Sequence, residues 1–145
     1  MKKLGVALLA GVAVLGAAAA LVWQLNVQDE PDVSASAAAS TSVPTPAVVA
    51  RGEYLARAGD CMACHTARGG ATLAGGLALA TPFGTVYTSN LTPDRETGIG
   101  TWTSAEFWRA LHNGRAKGGR LLYPAFPYTN YTKVTREDSY AMYAW

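Results

Sequence analysis

The chain has 145 residues, half of them apolar and 15% charged, with a formal net charge of +2. Two Cys exclude a disulfide framework, and the spread of the basic residues, away from any aromatic cluster, sets nucleic-acid binding aside. Charge divides unevenly: residues 1–50 carry two Lys against three acids, and residues 51–145 carry ten Lys/Arg against seven Asp/Glu.

Lys2 and Lys3 precede an uncharged apolar run from Leu4 to Trp23, long enough for a helix across a bilayer. The lysines favour a cytoplasmic N-terminus, with Trp23 at the far interface. Residues 1–23 therefore read as an uncleaved membrane anchor. A cleaved signal peptide is the alternative, with Ala18-Ala19-Ala20 or Ala35-Ser36-Ala37 as cleavage sites. Either way the remainder is exported. Residues 24–50, rich in Ala, Ser, Thr and Pro, cannot bury a core and read as a flexible tether. The remaining residues, 51–145, make one small domain, too short for a large core of its own.

Ala47 to His65 reads as the domain's first helix, with Tyr54, Leu55 and Ala58 on one apolar side and Gly59 loosening the chain before its last turn. That turn is Cys61-Met62-Ala63-Cys64-His65. Two thiols three positions apart, followed at once by an imidazole, have the spacing that fastens a haem to protein. On one helical turn Cys61 and Cys64 share a side, so each can form a thioether to one haem vinyl group, and His65 can bind the iron through Nε2. Three other readings compete. A thioredoxin-like thiol pair lacks the alternation of strand and helix that such a fold requires. A zinc site from Cys61, Cys64, His65 and His112 asks adjacent Cys64 and His65 to reach one tetrahedral ion. A plain disulfide leaves His65 without a role.

Thr66 to Thr101 is Gly-rich loop with a short strand at Thr85-Val86-Tyr87 and a surface turn at Pro93–Gly98. Loops of this length are uncommon in a compact domain unless they wrap around something. Thr103-Ser104-Ala105-Glu106 is a capping box opening a helix that turns Phe107, Ala110 and Leu111 inward, and Asn113-Gly114 stops it. Arg115 to Arg120 is a basic loop. Thr135 caps a last helix running through Met142 to Trp145, with no C-terminal cap, which reads as the first domain of something longer.

Residues 51–145 resemble the haem c domains in cytochrome subunits of bacterial membrane-bound dehydrogenases acting on alcohols, aldehydes or gluconate. Besides Cys61–His65, the resemblance is carried by Arg51-Gly52-Glu53-Tyr54-Leu55, Ala80-Thr81-Pro82-Phe83-Gly84-Thr85, Asn90-Leu91-Thr92-Pro93, Thr97-Gly98-Ile99-Gly100 and Leu122–Tyr128. It implies a mostly α, class I cytochrome c fold with long Gly-rich loops around the haem, behind a single transmembrane helix. It implies one covalent haem c, attached through Cys61 and Cys64 with His65 as proximal axial ligand. Gly52 stands where such cytochromes need a small residue for a close crossing with the last helix.

The resemblance further implies a one-electron carrier, not itself an enzyme. It would sit on the periplasmic face of a bacterial cytoplasmic membrane, between a dehydrogenase catalytic subunit and a quinone or another cytochrome. The sequence departs from the family at the sixth iron ligand. Phe126 stands where a Met is common, and Met142 reads as a core residue. His112, Lys133, Tyr128 or a residue beyond Trp145 remain as donors. An open sixth position would suit a small-ligand-binding or peroxidase-like haem protein, the alternative function.

Overall fold

The computed structural model describes residues 2–26 and 43–145. Met1 and residues 27–42, which include most of the expected tether, lie outside the described residues. The chain divides into two units, residues 1–32 and 33–145.

The first unit holds α1, Lys2–Asn26. Its stretch Gly5–Leu25 has a mean hydropathy of 2.4, and none of it is buried. At 1.5 Å per residue this stretch is about 31 Å long, which matches the hydrocarbon thickness of a bilayer. Apolar side chains point outward all round, from Val6 and Leu8 through Val14 to Val22 and Trp23. A helix without a polar side needs an apolar surrounding on every face. The helix runs past Trp23, so Gln24, Leu25 and Asn26 belong to it and not to the tether.

The second unit is mostly helical with one small sheet. Helix α2, Pro46–Ala58, starts on Pro46 with Thr45 as N-cap, the Thr45 hydroxyl accepting from the Val48 N–H. Helical structure therefore begins five residues before the domain start expected from composition. The expected single helix to His65 is two helices. Gly59 keeps an ordinary negative φ. Asp60 turns left-handed, at φ 56° and ψ 29°, and from it starts α3, Cys61–His65. Asp is among the few residues other than Gly that take this conformation readily, and it redirects the chain there.

Strands β1, Ala78–Thr81, and β2, Gly84–Tyr87, form an antiparallel hairpin with Ala78 opposite Tyr87 and Thr81 opposite Gly84. Only the second strand was expected. Helix α4, Ser104–Asn113, carries the full capping box. The Glu106 N–H donates to the Thr103 hydroxyl, the Thr103 N–H donates to the Glu106 carboxylate, and left-handed Gly114 ends the helix. Helix α5, Arg136–Ala144, is capped by the Thr135 hydroxyl, which accepts from the Asp138 N–H.

Helix α5 packs against both α2 and α4. The α2 face that meets it is not the expected one: Gly52 and Ala56 are buried, whereas Tyr54 is 70% exposed and Ala58 is exposed. Small side chains win this position because the two backbones touch. A Cβ on Gly52 would collide with the Ala141 carbonyl oxygen. Arg51 and Asp138 clasp the same crossing at the surface, with Arg51 Nε 2.8 Å from Asp138 Oδ1.

Among the described residues the buried apolar set is five alanines and Trp108. On α4, Ala105, Trp108 and Ala110 are buried, while Phe107 and Leu111 stay half-buried. Leu73, Leu77, Leu91, Ile99, Leu122 and Phe126, from the long loops, are likewise half-buried.

Gly52→Ala tests the crossing. Ala is favoured over Gly in a helix by about 1 kcal/mol, but forced overpacking costs about 1–3 kcal/mol and here strikes backbone rather than a movable side chain. The variant should melt about 5 °C or more below the wild type in a thermal unfolding experiment. A higher melting temperature would mean the two helices do not touch there.

Candidate haem site

Helix α3 is one turn long and places Cys61 and Cys64 a turn apart. Both are free thiols, Cys61 partly buried and Cys64 exposed. Burial pushes the Cys61 thiol above its ordinary value, and the neighbouring charges of Asp60 and Cys64 push the same way. A thiol–disulfide redox site needs the opposite shift, because the thiolate is the reacting species. The hairpin is also the only sheet among the described residues, so no βαβ unit surrounds the pair.

His65 is oriented from outside its helix. Its Nδ1 lies 2.7 Å from the Ser89 carbonyl oxygen. A carbonyl only accepts, so Nδ1 carries the hydrogen and Nε2 of the neutral ring keeps its lone pair. Metal-bound His side chains characteristically have this second interaction, which fixes the tautomer and raises ligand basicity.

Ser89 reaches His65 because the loop doubles back on the attachment turn. The Gly75 N–H donates to the His65 carbonyl at 2.7 Å, the Gly76 N–H to the Thr88 carbonyl at 2.9 Å, and the Thr88 N–H to the Leu77 carbonyl at 3.0 Å. Gly75 is the pivot: its φ is +72°, and a Cβ there would lie 2.5 Å from the Ser89 carbonyl carbon. No side chain fits between the two chain passes. The loop beyond is stitched by Asn90, whose amide oxygen accepts from the Thr92 N–H at 2.8 Å. Hydrogen bonds from the Thr97 backbone and hydroxyl hold the Asp94 carboxyl below its usual range.

The other flank of the turn is covered by residues 122–131. This segment is pinned at one end by the Leu122 N–H on the Gly114 carbonyl at 2.7 Å. At the other end the Tyr131 hydroxyl donates to the Gly59 carbonyl at 2.9 Å. Phe126 stacks on Tyr131, with ring centroids 5.3 Å apart and planes 19° from parallel. Burial raises the Tyr131 phenol above its ordinary value, with Cys61, Cys64 and Asp60 adding to it.

His112 does not join Cys61, Cys64 and His65. Its ring stacks on Trp108 at 4.3 Å between centroids. Its Nδ1 lies 2.5 Å from the Asn113 side-chain oxygen. Arg136 sits 4.0 Å from the centroid of the same Trp108 ring. Among the described residues no three His, Cys, Asp or Glu side chains gather as a metal-binding group, which is the finding against a zinc site.

These residues fit a haem. Two thiols on one turn suit two vinyl groups, and a tied imidazole presents its free nitrogen. The half-buried apolar side chains of both long loops suit a large apolar group, since a core of alanines and one tryptophan is thin for a domain of this length. Ser89, Gly75 and Tyr131 escaped the sequence reading. The Ser89 contact is made by backbone, so its side chain carries no signal. Gly75-Gly76 marked only a loop, and Tyr131 was one of several aromatics in its segment.

No protein-family model matches the chain. It is 56% identical over 99 residues to the gluconate 2-dehydrogenase cytochrome c subunit of Pantoea cypripedii, covering 68% of this chain and 22% of that one. Against the alcohol dehydrogenase (quinone) cytochrome c subunit of Gluconacetobacter polyoxogenes it is 47% identical over 113 residues, 78% of this chain and 24% of the relative. A diheme cytochrome c-type protein of Cereibacter sphaeroides is 38% identical over 138 residues, 90% of this chain and 44% of that protein. The chain thus spans less than half the length of each of these relatives. Over about 70% of its length the chain thus resembles the cytochrome c subunits of bacterial gluconate, alcohol and fructose dehydrogenases.

Proposed function

We propose that residues 51–145 form a class I cytochrome c domain that binds one haem c covalently and relays single electrons. Cys61 and Cys64 hold the porphyrin by thioethers, and His65 offers Nε2 to the iron. When bound, the haem supplies the one-electron chemistry; the protein supplies attachment, orientation and burial. Ser89 keeps the His65 ring at a fixed rotation and keeps its proton on Nδ1. Asp60 turns the chain so that both thiols leave the same side of the turn. The observation that carries this reading is the His65 Nδ1–Ser89 carbonyl bond beside two free thiols one helical turn apart.

The relatives' names support a dehydrogenase as a redox partner. The donor is the catalytic subunit of a dehydrogenase, and the acceptor is a quinone or another cytochrome. With Lys2 and Lys3 favouring the cytoplasmic side, α1 anchors the chain in the bacterial cytoplasmic membrane with the haem domain on the periplasmic side. Residues 24–50, apart from the parts already helical, are the tether between anchor and domain.

Two experiments test this. The full chain, expressed with c-type maturation machinery, should keep its haem through denaturing electrophoresis, and Cys61→Ala with Cys64→Ala should lose it. Haem retained by the double variant would overturn the attachment. Gly75→Ala should lower unfolding stability by about 1–3 kcal/mol, because a left-handed φ and a close backbone contact are both violated. It should also weaken the Ser89 bond to His65, make the imidazole a poorer donor, and raise the reduction potential in a redox titration. A destabilised variant with an unchanged potential would detach His65 from the iron.

A further inference from the structure

We infer that Phe126 and Tyr131 cover the side of the haem opposite His65 without supplying an iron ligand, so that the sixth position binds a small neutral diatomic molecule such as carbon monoxide or nitric oxide. This rests on the haem attachment proposed above.

The two long segments meet the attachment turn from different ends. Residues 66–91 hold its last residue, His65, through Ser89. Residues 122–131 cover its first, through Tyr131 on Gly59. The Tyr131 ring edge and the Cys61 sulfur both lie 3.7 Å from the position a Cβ on Gly59 would take. With His65 assigned to one face of the porphyrin, Tyr131, which touches Gly59 just before the attachment turn, brings the Phe126 ring stacked on it to the other.

Among the described residues, several side chains able to ligate iron are placed elsewhere. Tyr131 gives its hydroxyl hydrogen to Gly59 and Tyr143 gives its own to the Trp102 carbonyl at 2.6 Å. His112 stacks on Trp108 and joins no group of three His, Cys, Asp or Glu side chains among the described residues. Lys117 donates to the Thr101 carbonyl, and the Lys133 side chain lies in an exposed position. Tyr128 packs its ring on Gly114. Met62 sits within the attachment turn, and a residue fixed along one face of a porphyrin cannot also reach the other. Met142 belongs to α5, and its backbone nitrogen lies at the crossing with Gly52.

The chemistry of the cover selects the ligand. Phe126 has no polar atom, and the Tyr131 hydroxyl is already spent, so neither offers a hydrogen bond to an anion. An aromatic, low-polarity lining disfavours charged ligands such as azide and admits uncharged diatomics.

The test is absorption spectroscopy of the full haem-loaded chain in detergent. Carbon monoxide added to the ferrous form should shift the Soret band. Phe126→Met, which puts a thioether in that position, should weaken carbon monoxide binding about tenfold or more, whereas Phe126→Leu should leave it intact. A six-coordinate ferrous spectrum unmoved by carbon monoxide would overturn the inference while leaving the haem attachment standing. Equal affinity in wild type and Phe126→Met would overturn the place given to Phe126. Protein without covalent haem would instead overturn the reading of Cys61 and Cys64. Should Phe126→Met fail to fold, the wild type and Phe126→Leu decide: loss of binding in Phe126→Leu overturns the apolar-cover assignment, and retention supports it.

Discussion

The hydrogen bond from His65 Nδ1 to the Ser89 carbonyl is the constraint on which the rest of the domain turns. An imidazole on a one-turn helix is free to rotate about two bonds, and either nitrogen can carry the proton. One carbonyl removes both freedoms, because it accepts only a hydrogen and accepts it from one direction. That carbonyl belongs to a residue 24 positions away. Its delivery requires the doubled loop, and the doubled loop requires Gly75 at a left-handed φ with no side chain against Ser89. The Gly-rich stretch is therefore a positioning device and not slack. The hairpin β1–β2 closes it, since Thr88 leaves β2 directly into the bonds with Gly76 and Leu77.

The helices do a different job. The α2–α5 crossing joins the two ends of the domain through a glycine, and α4 packs on α5 where Phe107 meets Tyr143 and Trp108 meets Arg136. Such contacts give close backbone approach and good dispersion but bury little apolar area per residue. The larger apolar side chains sit on the loops and on the inner edge of α4, half-buried. The proposed covalent haem would add apolar area among them where the protein has little. Covalent attachment would also keep that group in place whatever its equilibrium affinity. A thin protein core and a covalently held cofactor would then be two halves of one solution to small size.

Much of this was legible in the sequence where local rules act alone. The capping box at Thr103–Glu106, the stop at Gly114, the cap at Thr135 and the small residue at Gly52 are each set by neighbours in the chain or by a packing distance that only glycine meets. The errors fall where tertiary contact overrides pattern. Tyr54 and Ala58 suggested an apolar side to α2, yet closeness to α5 selected Gly52 and Ala56 instead. Gly59 drew attention as the flexible point, but Asp60 takes the left-handed turn. A left-handed Asp has no signature distinct from an ordinary N-cap. In the hairpin, Ala78–Thr81 lacks the β-branched run that made Thr85–Tyr87 recognisable, and its strand character comes from pairing. Of the candidate site, Cys61, Cys64 and His65 were singled out by spacing. The groups that orient them could not, because Ser89 acts through its backbone and Tyr131 acts across 72 residues.

That last contact also joins the two sides of the proposed site. The Tyr131 hydroxyl binds the carbonyl of Gly59, the residue before the left-handed Asp60 from which α3 departs. The same ring stacks on Phe126. Displacement of Phe126 by a ligand on its side would therefore press on Tyr131, and through one hydrogen bond on the peptide that sets the direction of the attachment turn. His65 lies at the far end of that turn, tied to Ser89. One short helix thus lies between contacts from both long loops, Tyr131 on Gly59 at its start and Ser89 on His65 at its end. If the domain both relays electrons and binds a ligand as proposed, the two would be linked through one tyrosine hydroxyl, one glycine carbonyl and one turn of helix.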